Sequence, residues 1–263
     1  ILWENNSGAL VGSPDWAPDS SRIAFEDGGD IWTTPPDANN QTNITQDDDV
    51  QHYPAWSPDG TQIAYSQAGP DVTNEIFRIN VDTRQRVGVS NNPNASDVSP
   101  HWQPWPVQNG RLTFGTQSAG LAQGAGFGER TVASSDLDGS HRSVFPGLEG
   151  ADSILSDPAW SPDGTRLAVA GDPFSGGGIS TIVLSTTGSP LSFVQGAFPS
   201  WFPNNRGLVV SRDGDLWVAD TAELAPNPVN VTNTANDVEE TESAVSPDGR
   251  WIAFESGKGG NGN

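Results

Sequence analysis

The 263-residue chain has no cysteine and no methionine, and only one of its 12 basic residues, Lys258, is a lysine. Without cysteine there is no disulfide framework and no thiolate metal site. A single lysine near the C-terminal end argues against a lysine base. No apolar run approaches the length of a membrane-spanning helix, which argues against membrane insertion. No segment shows the 3.6-residue apolar period of an amphipathic helix. Gly-x-Ser-x-Gly, His-Glu-x-x-His and the phosphate-binding glycine loop are all missing. Cationic residues are scarce against 33 acidic ones, and the formal net charge is -21. Nucleic acids and anionic membranes both need a basic footprint, so neither is an expected partner. Cations or a basic partner suit this charge better. No signal peptide is visible. The chain opens inside a strand-like stretch, Ile1-Leu2-Trp3-Glu4, and reads as a processed or trimmed product, so a missing signal does not bear on export.

What the chain does have is a repeat. Trp56-Ser57-Pro58-Asp59-Gly60 returns as Trp160-Ser161-Pro162-Asp163-Gly164 and as Val245-Ser246-Pro247-Asp248-Gly249. Degenerate copies begin at Trp16 and Trp201, and a stretched one runs from Trp102 to Asn109-Gly110. Each copy encodes an inward-packing residue at the end of a strand, then a turn. Proline presets φ, Asp or Asn bonds the turn backbone, and Gly takes the left-handed position. A second strand follows every turn, as in Ile23-Ala24-Phe25, Ile63-Ala64-Tyr65 and Leu167-Ala168-Val169. Third strands such as Asp30-Ile31-Trp32 and Asp215-Leu216-Trp217 come next, then weaker fourth ones.

The spacings between the anchor positions 16, 56, 102, 160, 201 and 245 are 40, 46, 58, 41 and 44 residues, matching one four-stranded blade per repeat. The expected fold is all-β: a six-bladed β-propeller of four-stranded antiparallel blades. The last repeat ends after its second strand, so Ile1-Leu2-Trp3 and Leu10-Val11 are expected to complete that blade as its third and fourth strands and remove the exposed edges. Residues 1–256 form one propeller domain on this reading, and 257–263 a flexible Gly-rich tail. Four Asn-x-Ser/Thr triplets, at Asn5, Asn43, Asn94 and Asn230, carry no argument. Chance yields about three in a chain this rich in those residues.

The segments Pro54-Ala55-Trp56-Ser57-Pro58-Asp59-Gly60-Thr61-Gln62-Ile63-Ala64-Tyr65 and Pro158-Ala159-Trp160-Ser161-Pro162-Asp163-Gly164-Thr165-Arg166-Leu167-Ala168-Val169, each followed by a third strand, resemble the TolB-like β-propeller repeats. Related repeats occur in the propeller domains of prolyl-oligopeptidase-type peptidases and in oligogalacturonate lyases. The resemblance covers nearly the whole chain. It implies a six-bladed ring and, for TolB itself, a periplasmic protein-binding role. The separate N-terminal domain of TolB has no counterpart in this sequence.

Strand order fixes two faces. The Pro-Asp-Gly turns lie on one, the turn face. The irregular insertions at 67–74, 91–99, 115–130, 147–157, 171–178 and 233–241 lie on the other, the loop face, where binding residues concentrate. Asp47, Asp48, Asp49, Asp97, Asp152, Asp157, Asp237, Glu239, Glu240 and Glu242 all precede a first strand and are expected on the loop face near the channel mouth, as a partner-binding surface. Arg22, Arg84, Arg86, Arg111, Arg166, Arg206 and Arg250 are expected on the turn face, paired with the turn aspartates. His52 and His101 precede the first strands of adjacent blades, and with Asp49 and Asp97 they make a candidate site for a divalent cation such as calcium or manganese. Asp136-Leu137-Asp138-Gly139 resembles part of a calcium loop but lacks the later ligands, and reads as an Asp-Gly hairpin turn.

The leading functional expectation is a non-enzymatic, exported (periplasmic or extracellular) propeller that binds a protein or peptide through its acidic loop face. Two others stand beside it. One is a metal-dependent, polysaccharide-active enzyme with its site at the channel mouth. The other is a structural module of a larger extracellular or surface protein.

Overall fold

A computed structural model of the chain describes residues 11–69, 73–92, 94–104, 110–118, 130–148, 156–172, 178–224, 226–234 and 238–258. Its strands fall into six antiparallel sheets, each followed in chain order from the centre outward. Sheet one is β1 (Val11–Trp16), β2 (Ile23–Asp27), β3 (Asp30–Thr34) and β4 (Thr42–Asn43). Sheet two is β5 (Gln51–Trp56), β6 (Gln62–Ala68), β7 (Asn74–Asn80) and β8 (Arg86–Gly88). Sheet three is β9 (Ala95–Trp102), β10 (Arg111–Ser118), β11 (Arg130–Asp136) and β12 (Ser143–Val144). Sheet four is β13 (Ser156–Trp160), β14 (Arg166–Gly171), β15 (Ser180–Ser185) and β16 (Pro190–Gln195). Sheet five is β17 (Ala197–Trp201), β18 (Gly207–Arg212), β19 (Asp215–Asp220) and β20 (Val229–Asn230), and the last sheet is β21 (Val238–Val245) with β22 (Ile252–Lys258). The innermost strands touch in sequence, and β21 returns to β1.

The chain is thus a β-propeller of four-stranded antiparallel blades, but it has five such blades rather than six. The sixth position in the ring holds the two-stranded sheet β21–β22. Of the segments expected to complete it, residues 1–10 lie outside the described residues, and Val11 begins β1 instead of ending a fourth strand. Gly257 and Lys258, expected in the tail, pair with Glu239 and Val238 at the end of β22.

The turns explain why the repeat folds as it does. Ser57 Oγ donates to Asp59 at 2.7 Å, Asp59 accepts from the Thr61 N–H at 3.0 Å, and Ser57 Oγ accepts from the Gln62 N–H at 2.9 Å. Ser161 and Asp163, and Ser246 and Asp248, make the same bonds. The turn aspartates therefore serve their own turns, and the expected ring of turn ion pairs is not what forms. Arg111 pairs with Asp136, and Arg206 with Asp220. Asp136–Gly139 is a hairpin turn as expected, closed by the Gly139 N–H on the Asp136 carbonyl at 2.9 Å.

Gly60 sits at φ 70°, and an added Cβ would lie 3.3 Å from Pro18 Cγ of the preceding turn. Gly60→Ala is therefore expected to destabilise by about 1–2 kcal/mol, the cost of a left-handed residue with a Cβ. An unchanged urea midpoint would show that the turn does not require that conformation.

The anchor residues Trp16, Trp56, Trp102, Trp160, Trp201 and Val245 are all buried, none above 9% exposed. They pack between sheets. Trp56, Ile63 and Tyr65 of sheet two meet Ile31 and Ile44 of sheet one. Trp102 meets sheet two, Trp160 meets sheet three and Trp201 meets sheet four in the same way. Val209 and Leu216 of sheet five pack on Val245. Among the described residues, the joint between β21–β22 and sheet one has no such apolar cluster. It is closed by polar groups, described next.

Candidate functional site

Every innermost strand carries the same irregularity. The register between β1 and β2 jumps from Gly12↔Glu26 to Asp15↔Ala24, and β5, β9, β13, β17 and β21 jump at the equivalent place. Proline has no N–H for the ladder, so Pro14, Pro54, Pro100, Pro158 and Pro199 are accommodated at the bulge. In β21 the proline is replaced by Ser243. The residue before it is left-handed in all six strands: Ser13, Tyr53, Ser99, Asp157, Phe198 and Glu242 have φ between 48° and 55°. Non-glycine residues avoid this region, and the surrounding sheets must hold it.

These six residues line a central cavity of about 410 Å³. Tyr53 and Phe198 stand on sheets two and five, opposite each other across the ring. Asp157 accepts from Ser99 Oγ at 3.1 Å, and Glu242 accepts from both Ser13 Oγ and the Ser13 N–H at 2.8 Å. Among the described residues the lining contains Asp15, Asp157 and Glu242 but no lysine or arginine. Ser243, 8% exposed, lines the same cavity with its hydroxyl unpartnered.

A second set of positions lies one step deeper. Asp15 accepts from the Trp56 N–H at 2.6 Å, and Ser200 accepts from the Val245 N–H at 2.9 Å. His101 Nδ1 lies 3.5 Å from the Trp160 nitrogen. The alternate sheets have Ala55, Ala159 and Ala244 here, and the carbonyls of Ala55 and Ala159 accept from the indoles of Trp102 and Trp201. Burial pushes the Asp15 carboxyl up to about 7, and pushes His101 down to about 4 so that it stays neutral.

At the closing joint Ser13 Oγ also lies 2.8 Å from Glu26, and Glu26 pairs with His52 at 2.6 Å. Glu255 faces Gly12, where a Cβ would come within 2.7 Å of its carboxylate. Burial, offset in part by the Ser13 bonds, together with the charges of Glu255 and Glu26 raises Glu242 to about 7. The bond to Glu26 raises His52. Burial foremost, then the charge of Glu242, pushes the Tyr53 phenol up to about 12.

The expected site residues scatter across this architecture. Asp48, Asp49 and Glu239 are exposed. Asp47 is held by Arg86, a pair that crosses the expected division of charge between faces. Asp97 is fully buried and taken by Arg142 at 2.6 and 2.7 Å. Glu240 is buried, while Asp157 and Glu242 line the cavity. Asp152 and Asp237 lie outside the described residues, as do parts of the loop-face insertions. The candidate metal set does not assemble. Asp49 accepts from Gln67, His52 pairs with Glu26, Asp97 pairs with Arg142, and His101 Nδ1 lies 3.0 Å from the Trp102 carbonyl. No three His, Asp or Glu side chains are placed to hold a metal ion among the described residues. The bulge residues escaped the sequence reading except for Asp157 and Glu242. Five of the six share one signal, a proline two places before the tryptophan, and Glu242 lacks it.

No protein-family model matches the chain, and no curated protein matches it. Solved structures do. A putative TolB from Agrobacterium tumefaciens superposes with a TM-score of 0.69 at 16% identity, over 97% of this chain and 92% of that one. TolB from Acinetobacter baumannii gives 0.67 at 20% identity, over 90% of this chain but only 57% of the other, so the chain matches little more than half of that protein's length. An oligogalacturonate lyase from Vibrio parahaemolyticus gives 0.63 at 11% identity, over 92% and 73%. Likeness at this level of identity concerns the fold. Among the described residues, no helix is long and apolar enough to cross a membrane.

Proposed function

We propose that this chain, which has the TolB-like propeller fold, is a non-enzymatic module of the cell envelope or exterior that binds a protein or peptide partner on its loop face. The observation that carries the reading is the exposed charge ahead of the first strands, where Asp48, Asp49 and Glu239 all stand in solvent. A rigid ring that offers loops and one sign of charge is suited to docking a complementary surface. The TolB likeness supports an envelope location. The lyase reading has less support, because the His and Asp residues it needs are each bound elsewhere.

The test is retention of a partner from an extract of the native source on immobilised chain. Asp48→Lys, Asp49→Lys and Glu239→Lys together are expected to reduce retention at least tenfold while the melting temperature stays within a few degrees. Equal retention by the reversed-charge chain would refute loop-face binding.

A further inference from the structure

The cavity combines features that a solubilising charge coat does not need. Two aromatic side chains, Tyr53 and Phe198, flank it from opposite sheets, and two carboxylates, Asp157 and Glu242, occupy bulge positions of the same ring. Each of these side chains is presented by a left-handed residue that its sheet must hold in place. Ser243 lines the cavity in the one inner strand that lacks the proline, more than nine-tenths buried and with its hydroxyl unpartnered. We propose that the cavity is a binding site for an organic cation, the ammonium or guanidinium group of a lysine or arginine side chain.

This inference goes beyond the loop-face reading, because prolines of the turn motif, Pro58, Pro162 and Pro247 among them, line the cavity and place it toward the turn face. An ammonium or guanidinium group is attracted by aromatic faces and by carboxylates at once, and it donates hydrogen bonds that carboxylate oxygens accept. Glu242, Glu26 and Glu255 repel one another at the closing joint, and an arriving cation relieves that repulsion. The cavity's own base, His101, is neutral and offers no competing charge. Arg130 acts on Tyr53 only as a distant charge, and it is exposed and bonded to Gln117. A bare divalent ion suits the cavity less well, because three His or carboxylate ligands do not converge among the described residues.

The test titrates the chain by calorimetry with Nα-acetyl-lysine methylamide and Nα-acetyl-arginine methylamide at fixed ionic strength. Nα-acetyl-norleucine methylamide is the uncharged control. Saturable binding with one site per chain is expected for both charged amides and none for the control. Asp157→Asn and Phe198→Leu are each expected to weaken it at least tenfold, with folding checked by thermal melts. Should Phe198→Leu fail to fold, Tyr53→Leu tests the opposing ring. Absence of saturation, equal binding of the norleucine amide, or full displacement by millimolar calcium at matched ionic strength would each overturn the site. Capture of a partner that depends on Asp48 and Asp49, by a chain that ignores both amides, would also overturn the cation site while leaving the partner reading in place. Amide binding without partner capture would do the reverse.

Discussion

Asp15→Asn is expected to stabilise the protein most at pH 8, about half as much at pH 5.5, and little below pH 4. Burial raises the Asp15 carboxyl from 3.8 to about 7, so the folded chain holds a proton there that the unfolded chain releases. A raised acid contributes its full stability below its unfolded pKa and loses it as pH rises through the folded one. Glu242, raised from 4.5 to about 7, has the same sign. His101 has the opposite sign: lowered from 6.5 to about 4, it contributes fully above 6.5 and loses as pH falls toward 4. Two carboxyls oppose one histidine, so the native protein should melt higher at pH 5.5 than at pH 8. At about 1.4 kcal/mol per unit, reduced for water in the cavity, Asp15 alone costs the fold about 2–3 kcal/mol at pH 8. The asparagine keeps an oxygen for the Trp56 N–H and recovers that amount. The turn aspartates Asp59, Asp163 and Asp248 are held below the ordinary carboxylate range by their turn bonds and stay ionised at both pH values. Equal destabilisation of Asp15→Asn at both pH values would mean that the ionised carboxylate is what the Trp56 N–H needs.

Arg142→Ala is expected to cost about 3–5 kcal/mol, because it leaves a buried carboxylate without its cation. Asp97 is 0% exposed and receives both guanidinium nitrogens, while Arg142 also donates to Thr116 at 2.8 Å and stacks 4.9 Å above Phe114. The pair ties the outer edge of sheet three to its innermost strand. Arg142→Lys should recover less than half of the loss, since an ammonium cannot make the planar, two-pronged contact. The double variant Arg142→Ala, Asp97→Asn should be more stable than Arg142→Ala alone. A cost below about 1 kcal/mol for the single change would place the pair with weak surface bridges.

The repeat was legible because its chemistry is local. Turn, anchor tryptophan and second strand lie within a dozen residues, and each has a residue type that little else can replace. Pairings set by distant loops were not legible. Asn43 and Asn230 looked like chance triplets, yet Asn43 donates to Asp30 and Asn230 to Asp215, both at 2.7 Å. Thr45 and Thr232 accept from the next N–H of the third strand, those of Ile31 and Leu216. Together they anchor the outermost strands. The spacing between Asp and Asn depends on loop length, so periodicity alone could not join them. The cavity was hidden for another reason. Its six bulge positions hold five residue types, so no composition marks them. Asp97 read as an open ligand because its partner Arg142 lies 45 residues away on another strand.

The polar closing joint has a consequence for the order in which the ring assembles. Sheets that follow one another along the chain can dock as soon as both exist, each on an apolar interface. The Ser13–Glu242 contact spans 229 residues. Chain entropy makes such a closure about 1.5 kcal/mol harder than docking sequence neighbours some 40 residues apart, on the logarithmic dependence of loop cost on length. Among the described residues the longest closure is also one without an apolar cluster, and its carboxylates weaken it as pH rises. The ring behaves as an arc that snaps shut last and opens first, at a seam whose tightness follows proton activity. Amide protons at the meeting ends of β1 and β21 should exchange through this opening, well before those of β13 and β14 on the far side.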